Sequence, residues 1–213
     1  LFTANEEIGA DVSDLFNHLT GYSAKTRYKK LLVAPHSIRQ GLARLIEQEI
    51  AAHKKNGDGH MILKMNALED PGMVRSLYEA SQAGVKIDLI VRGVCSLRPG
   101  LPGVSDNIRV KSVLGRFLEH SRIYYFHNGG NEQIYVGSAD MMPRNLNRRV
   151  EILFPIENPK LIRRVRDGIL EQYLRDEAGS WLMDSDGNFK RDPHAHLKRA
   201  RNSQAYFLKH HGS

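Results

Sequence analysis

The sequence predicts an α/β fold with a mixed, largely parallel central sheet and flanking helices. Between residues 31 and 91, short apolar runs alternate with stretches of helical spacing in the order strand, helix, strand, helix, strand, which builds βαβ units. Four more strand candidates and a long helical stretch follow before residue 176. The 213 residues are 41% hydrophobic and 26% charged, ordinary folded composition and enough for one substantial domain.

Each element has its own signal. Residues 5–19 place Ile8, Val12, Leu15, Phe16 and Leu19 at helical spacing, and Gly21-Tyr22-Ser23 closes that helix. Leu31-Leu32-Val33-Ala34, stopped by Pro35, suits a buried strand. Ser37 is placed to cap a helix over about 38–54, with Leu42, Leu45, Ile46 and Ile50 on one face. After the turn at Asn56-Gly57-Asp58-Gly59, residues 61–66 read as a strand. Asp70-Pro71 opens a helix that buries Val74, Leu77, Tyr78 and Ser81 and ends at Gly84. Residues 86–91 form the next strand, ending at Arg92-Gly93. Further strands are expected at 108–113, 121–126, 132–138 and 150–155, the middle pair joined by a hairpin turn at Asn128-Gly129-Gly130-Asn131. A helix is expected over about 158–175 and a short one near 194–208, with Trp181 as a packing anchor between them.

Composition narrows the function. No apolar run approaches the roughly 18 residues of a membrane span. The single cysteine, Cys95, excludes a disulfide framework and a cysteine-rich zinc site, and fits a reducing, cytoplasmic compartment. The chain opens without Met on the apolar pair Leu1-Phe2 and turns acidic at Glu6-Glu7, which reads as a fragment of a longer protein, cut in or just after a strand, rather than a signal peptide. The net charge is +7. Much of it lies in residues 190–213, where Lys190, Arg191, Lys198, Arg199, Arg201 and Lys209 face only Asp192. Such a balance favours polyanions, or is simply a solvated basic tail.

Two stretches concentrate chemistry: Glu119-His120-Ser121-Arg122 and Gly137-Ser138-Ala139-Asp140, the latter followed by Arg144-Asn145. On strands, His120 and Arg122 would share a face, as would Ser138 and Asp140. A histidine can serve as nucleophile, general acid or donor, and an arginine grips phosphate through two N–H groups. One histidine among ten reads more readily as structural, but the neighbouring Arg122 and the Gly-Ser-Ala-Asp string tilt His120 toward function. Arg92 ends a strand at the sheet edge where α/β folds bind ligands, or pairs with an acid. Lys64 and Asn66, two residues apart on the preceding strand, share a face and would line that same edge, or Asn66 satisfies turn backbone. His194, His196, His210 and His211 lack a carboxylate or cysteine arrangement for a metal.

His120-Ser121-Arg122 followed by Gly137-Ser138-Ala139-Asp140 resembles a degenerate phospholipase D superfamily motif, with Arg in place of Lys and Asp in place of Asn. Longer strings resemble the polyphosphate kinase family: Leu1 to Gly9, Asp14 to Ser23, Lys64 to Asp70, Val91 to Leu97, Gly115 to Ile123 and Ser138 to Asn145. The resemblance covers about residues 1–176 and fades beyond; Met142-Pro143 departs from the family pattern. It implies a phospholipase-D-like α/β/α sandwich over residues 28–176, preceded by the end of an upstream catalytic domain and a connecting helix (1–27) and followed by a basic tail (177–213).

The same resemblance implies reversible transfer of the ATP γ-phosphoryl group to inorganic polyphosphate, with Mg²⁺ and a phosphohistidine. That histidine and the magnesium-linked residues would lie upstream of Leu1, so no metal ligand is expected here. By position, His120 would be the second active-site histidine, Arg92 a nucleotide-phosphate contact, and Arg122 a further phosphate contact, with Asn66, Ser138, Asp140 and Arg144 in support. The implied partners are ATP/ADP, polyphosphate, the rest of the polypeptide and further copies of it, with no specific nucleic acid. The implied location is cytoplasmic, with scope for peripheral membrane association. Two other readings remain open: a phospholipase-D-like phosphodiesterase or nuclease, and a non-catalytic polyanion-binding module acting through its basic tail.

Overall fold

The computed structural model describes residues 3–211. Leu1-Phe2, expected at a strand end, lie outside the described residues. Among the described residues one nine-stranded sheet organises the fold, in the order β1-β7-β6-β5-β2-β3-β4-β8-β9. Its strands are β1 (Leu32–Ala34), β2 (His60–Met65), β3 (Lys86–Val91), β4 (Ile108–Val113), β5 (Arg122–Phe126), β6 (Gln133–Gly137), β7 (Glu151–Ile156), β8 (Ser180–Met183) and β9 (Phe189–Arg191). The helices are α1 (Glu6–Leu19), α2 (Ile38–Asn56), α3 (Pro71–Gln82), α4 (Pro143–Asn147), α5 (Pro159–Val165), α6 (Glu171–Leu174) and α7 (Ser203–His211). A π-helical stretch, Arg166–Leu170, joins α5 to α6.

Strand alternation sorts the core into two layers. From β2, Met61, Leu63 and Met65 pack with Leu42 and Ile46 of α2 and Leu77 of α3. Ile62 faces the other way, with Ile123 and Tyr125 of β5, against Ile162, Leu170 and Tyr173. The sheet is therefore covered on both faces, an α/β/α sandwich. Among the described residues no helix is long and apolar enough to cross a membrane.

The sheet is mixed, but it is not largely parallel. Among the described pairings only β2–β3 and β3–β4 are parallel; the other six are antiparallel. The physical reason is connection length: parallel neighbours need a crossover, whereas β5 and β6 are joined by the tight Asn128–Gly130 turn.

The described residues from 177 to 211 are built into the sheet and the last helix. β8 pairs with β4, Val113 opposite Ser180, and β9 pairs with β8. The buried Asp176 carboxylate accepts from Gly179 N (2.8 Å) and from Ser203 N and Oγ (2.6 and 2.7 Å), tying the helical layer to the last helix. The two strands are short, and Trp181 is 36% exposed rather than an anchor, so apolar periodicity could not announce them. Their visible signal is the turn Asp184-Ser185-Asp186-Gly187-Asn188, where Asp184 Oδ1 accepts from Asp186 N and Asn188 N.

Two smaller expectations also change. In α1 only Ile8, Asp11 and Leu15 are buried, while Phe16 and Leu19 lie in the open. Ser37 stands at the start of α2 but does not cap it; its hydroxyl accepts from Val33 N at 2.8 Å and ties the helix to β1 instead.

Candidate active site

The polar residues of interest gather where β2 and β3 end and β5 begins. The base of the site is a chain of side chains. Arg92, just past β3, donates through Nε and Nη2 to Asn66 Oδ1 (3.1 and 2.9 Å). Asn66 donates through its backbone N and Nδ2 to Asp140 Oδ1 (2.7 and 3.1 Å). Asp140 in turn receives Arg122 Nε and Nη2 at 3.1 and 3.0 Å. Arg122 Nη1 continues to the backbone oxygen of His120 at 2.9 Å. The buried Tyr124 hydroxyl donates to Ala139 O at 2.6 Å and fixes the turn that carries Asp140.

Asn66 and Asp140 are buried, so this chain lies in a medium where unpaired charge is costly. Arg122 has its charge matched by Asp140. Arg92 is half-buried, and among the described residues its guanidinium meets a neutral amide and no carboxylate. An anion brought to this edge finds an oriented cation whose Nη1 is uncommitted among the described contacts.

His120 precedes β5 rather than lying on it, so strand alternation does not set its direction. Its imidazole is exposed and makes no hydrogen bond or ion pair with the described residues. Phe117, Leu118, Tyr173, Phe207 and Leu208 line an open cleft of about 500 Å³ beside it. Ser138 is not drawn into the relay: β6 ends at Gly137, and the exposed Ser138 Oγ accepts from Ile152 N at 3.2 Å. Arg144, on α4, is also apart, in a separate depression with Glu69, Ser96 and Arg148. The site thus brings together Arg92, Asn66, Asp140, Arg122 and the His120 backbone, and leaves Ser138 and Arg144 outside.

Sequence reasoning put Lys64 at the ligand edge and missed the buried network it belongs to. Lys64 is 2% exposed, donates from Nζ to Ser121 Oγ at 3.0 Å and pairs with Glu119 Oε2 at 3.3 Å. Burial pushes the Lys64 ammonium below its ordinary range, with Glu119 opposing that shift. The signal was a lysine inside the apolar run Met61-Ile62-Leu63-Lys64-Met65, which a central strand must bury. A second basic cavity, of about 540 Å³, contains none of the expected residues; Arg27, Lys30 and Arg44 line it with Tyr135.

Cys95 is half-buried, and burial pushes its thiol up to about 11, which makes it a poor nucleophile. Among the described residues no cluster of three or more His, Cys, Asp or Glu could hold a metal ion.

Residues 31–204 match the family model described as polyphosphate kinase C-terminal domain 2. The match reaches past residue 176, where the sequence resemblance was expected to fade. The polyphosphate kinase of Prosthecochloris aestuarii is 53% identical over 206 residues, 97% of this chain and 28% of that protein. The chain therefore spans less than a third of the length of such relatives. The crystal structure of polyphosphate kinase from Porphyromonas gingivalis superposes with a TM-score of 0.90 at 44% identity, covering 97% of this chain and 32% of that one. Nuc from Salmonella typhimurium, a phospholipase D family member, superposes at a TM-score of 0.51 and 14% identity over 76% of this chain and 97% of its own, a likeness of fold alone.

Proposed function

The chain belongs to the polyphosphate kinase family, and we propose that it supplies one part of an active site that reversibly transfers the ATP γ-phosphoryl group to inorganic polyphosphate. The rest of that site, including the histidine that becomes phosphorylated, comes from other parts of the polypeptide. The observation that carries this reading is Arg92: a half-buried guanidinium held from behind by Asn66, without a carboxylate of its own among the described residues. Phosphoryl transfer gathers negative charge on non-bridging oxygens, and fixed cationic donors lower its barrier most where they need not reorganise.

In this reading Arg92 binds a nucleotide phosphate oxygen through Nη1. Arg122 spends its charge on Asp140 and holds the His120 carbonyl. The His120 imidazole donates a hydrogen bond to a phosphate oxygen of the transferring group, or a proton to the departing one. Among the described residues no cluster of His, Cys, Asp or Glu would hold magnesium.

The test is ATP formation from ADP and long-chain polyphosphate, with bis-p-nitrophenyl phosphate as the competing substrate, for the full-length protein and this chain alone. The full-length protein should form ATP and leave the diester intact, and the chain alone should form none. Diester hydrolysis without ATP formation would overturn the assignment in favour of a phosphodiesterase.

A further inference from the structure

The exposed imidazole of His120 has no side-chain partner among the described residues, so the backbone of its loop decides where it points. Besides the Arg122 contact to the His120 carbonyl, that backbone is held from two further sides. Gln204, in the first turn of α7, pairs with both polar groups of Phe117: Oε1 accepts from Phe117 N at 3.0 Å, and Nε2 donates to Phe117 O at 2.8 Å. The same Nε2 donates to Glu119 Oε1 at 2.7 Å. From beneath, Lys64 takes the other oxygen of Glu119 and the hydroxyl of Ser121. The approach is close: a Cβ at Gly115 would lie 2.4 Å from Gln204 Oε1. Both neighbours of His120 in sequence are thus tied to groups that take no direct part in the phosphate chemistry described above.

We propose that Gln204 and Lys64 are positioning residues for His120, and that α7 is therefore part of the catalytic apparatus although it touches no substrate. The proposal rests on the reading of His120 given above. Glu119 is the joint: Gln204 Nε2 donates to one of its oxygens, Lys64 pairs with the other, and the Tyr173 hydroxyl bonds the same carboxylate, so losing Gln204 or Lys64 lets the 117–121 segment shift about the contacts that remain. A displacement of about 1 Å at a reacting group can cost about a hundredfold in rate.

A double-mutant cycle in the full-length protein tests this, with kcat and KM measured for ATP formation from ADP and polyphosphate. The four proteins are wild type, Gln204→Leu, His120→Ala and the double variant. We expect Gln204→Leu to lower kcat about ten- to a hundredfold, with KM for ADP within about threefold, and to cost less than about threefold more once His120 is Ala. A merely structural glutamine would cost the same factor in both backgrounds, and that result, or no loss in the single variant, overturns the proposal. Near-normal activity of His120→Ala would instead overturn the underlying reading. Should Gln204→Leu not fold, Gln204→Met carries the same cycle, because it keeps the length of the side chain and removes its hydrogen bonds to Phe117 and Glu119 without adding a charge beside Glu119.

Discussion

Arg122 and Asp140 meet face to face, Nε to Oδ1 at 3.1 Å and Nη2 to Oδ2 at 3.0 Å, with 13% and 8% of the two side chains exposed. This two-point contact divides labour between the arginines of the site. Arg122 is committed within the protein, and Arg92 is not. Arg92→Met should therefore raise KM for ATP by about ten- to a hundredfold, the loss of one or two charge-assisted hydrogen bonds of about 1.5–3 kcal/mol. Arg122→Met should instead cost stability, about 3–5 kcal/mol, because it strands Asp140 as a buried, unpaired carboxylate. Steady-state kinetics and thermal unfolding of both variants check this; identical profiles for the two would contradict it.

Asn66 accepts from Arg92 and donates to Asp140, a combination an amide can supply and a carboxylate cannot. Asn66→Asp should neutralise Arg92 and set two carboxylates against each other. Weaker nucleotide binding than in Asn66→Ala is the expected result of titration calorimetry with ATP. Equal or tighter binding by the Asp variant would show that the charge on Arg92 is not what recognises phosphate.

Gly137 ends β6 where the backbone of β7 crosses closely. A Cβ there would stand 1.9 Å from Ile152 O and 2.9 Å from its carbonyl carbon, rigid atoms that cannot step aside. Gly137→Ala should destabilise the protein by about 3 kcal/mol and lower the unfolding temperature by about 6–12 °C. An unchanged melting curve would refute the close approach.

Asp88 is 2% exposed and faces His60 Nε2 at 2.8 Å, Arg109 Nη2 at 2.7 Å and Lys86 Nζ at 3.6 Å. Burial alone would raise its pKa, but the His60 hydrogen bond and the charges of Arg109 and Lys86 outweigh it and hold the carboxyl below its ordinary 3.8. Its stabilising contribution is present above pH 3.8 and is lost as pH falls through the lower, folded-state value. Asp88→Asn should therefore be less stable than wild type at pH 7, with the gap narrowing in urea titrations at pH 3 and below. A gap independent of pH would show that charge at Asp88 contributes nothing.

The central strands, α2, α3 and the hairpin at 128–131 were legible because apolar periodicity and turn residues speak locally. Arg92 and Asn66 were legible as strand-end residues facing one edge. The Arg92–Asn66–Asp140–Arg122 relay was not, because it joins residues 26, 74 and 18 positions apart through side-chain geometry alone. The β8–β9 hairpin was hidden by its shortness and exposure. Gln204 was hidden because a polar residue in a basic stretch carries no mark of the loop it holds, 87 positions earlier.

The most direct test of the central claim is His120→Ala in the full-length protein, followed by ATP formation from ADP and polyphosphate with the fold monitored by circular dichroism. A loss of about a hundredfold or more in kcat with an unchanged spectrum is the expected result, that of a removed donor or general acid. Wild-type turnover by the variant would contradict the account and make His120 a surface histidine beside someone else's chemistry.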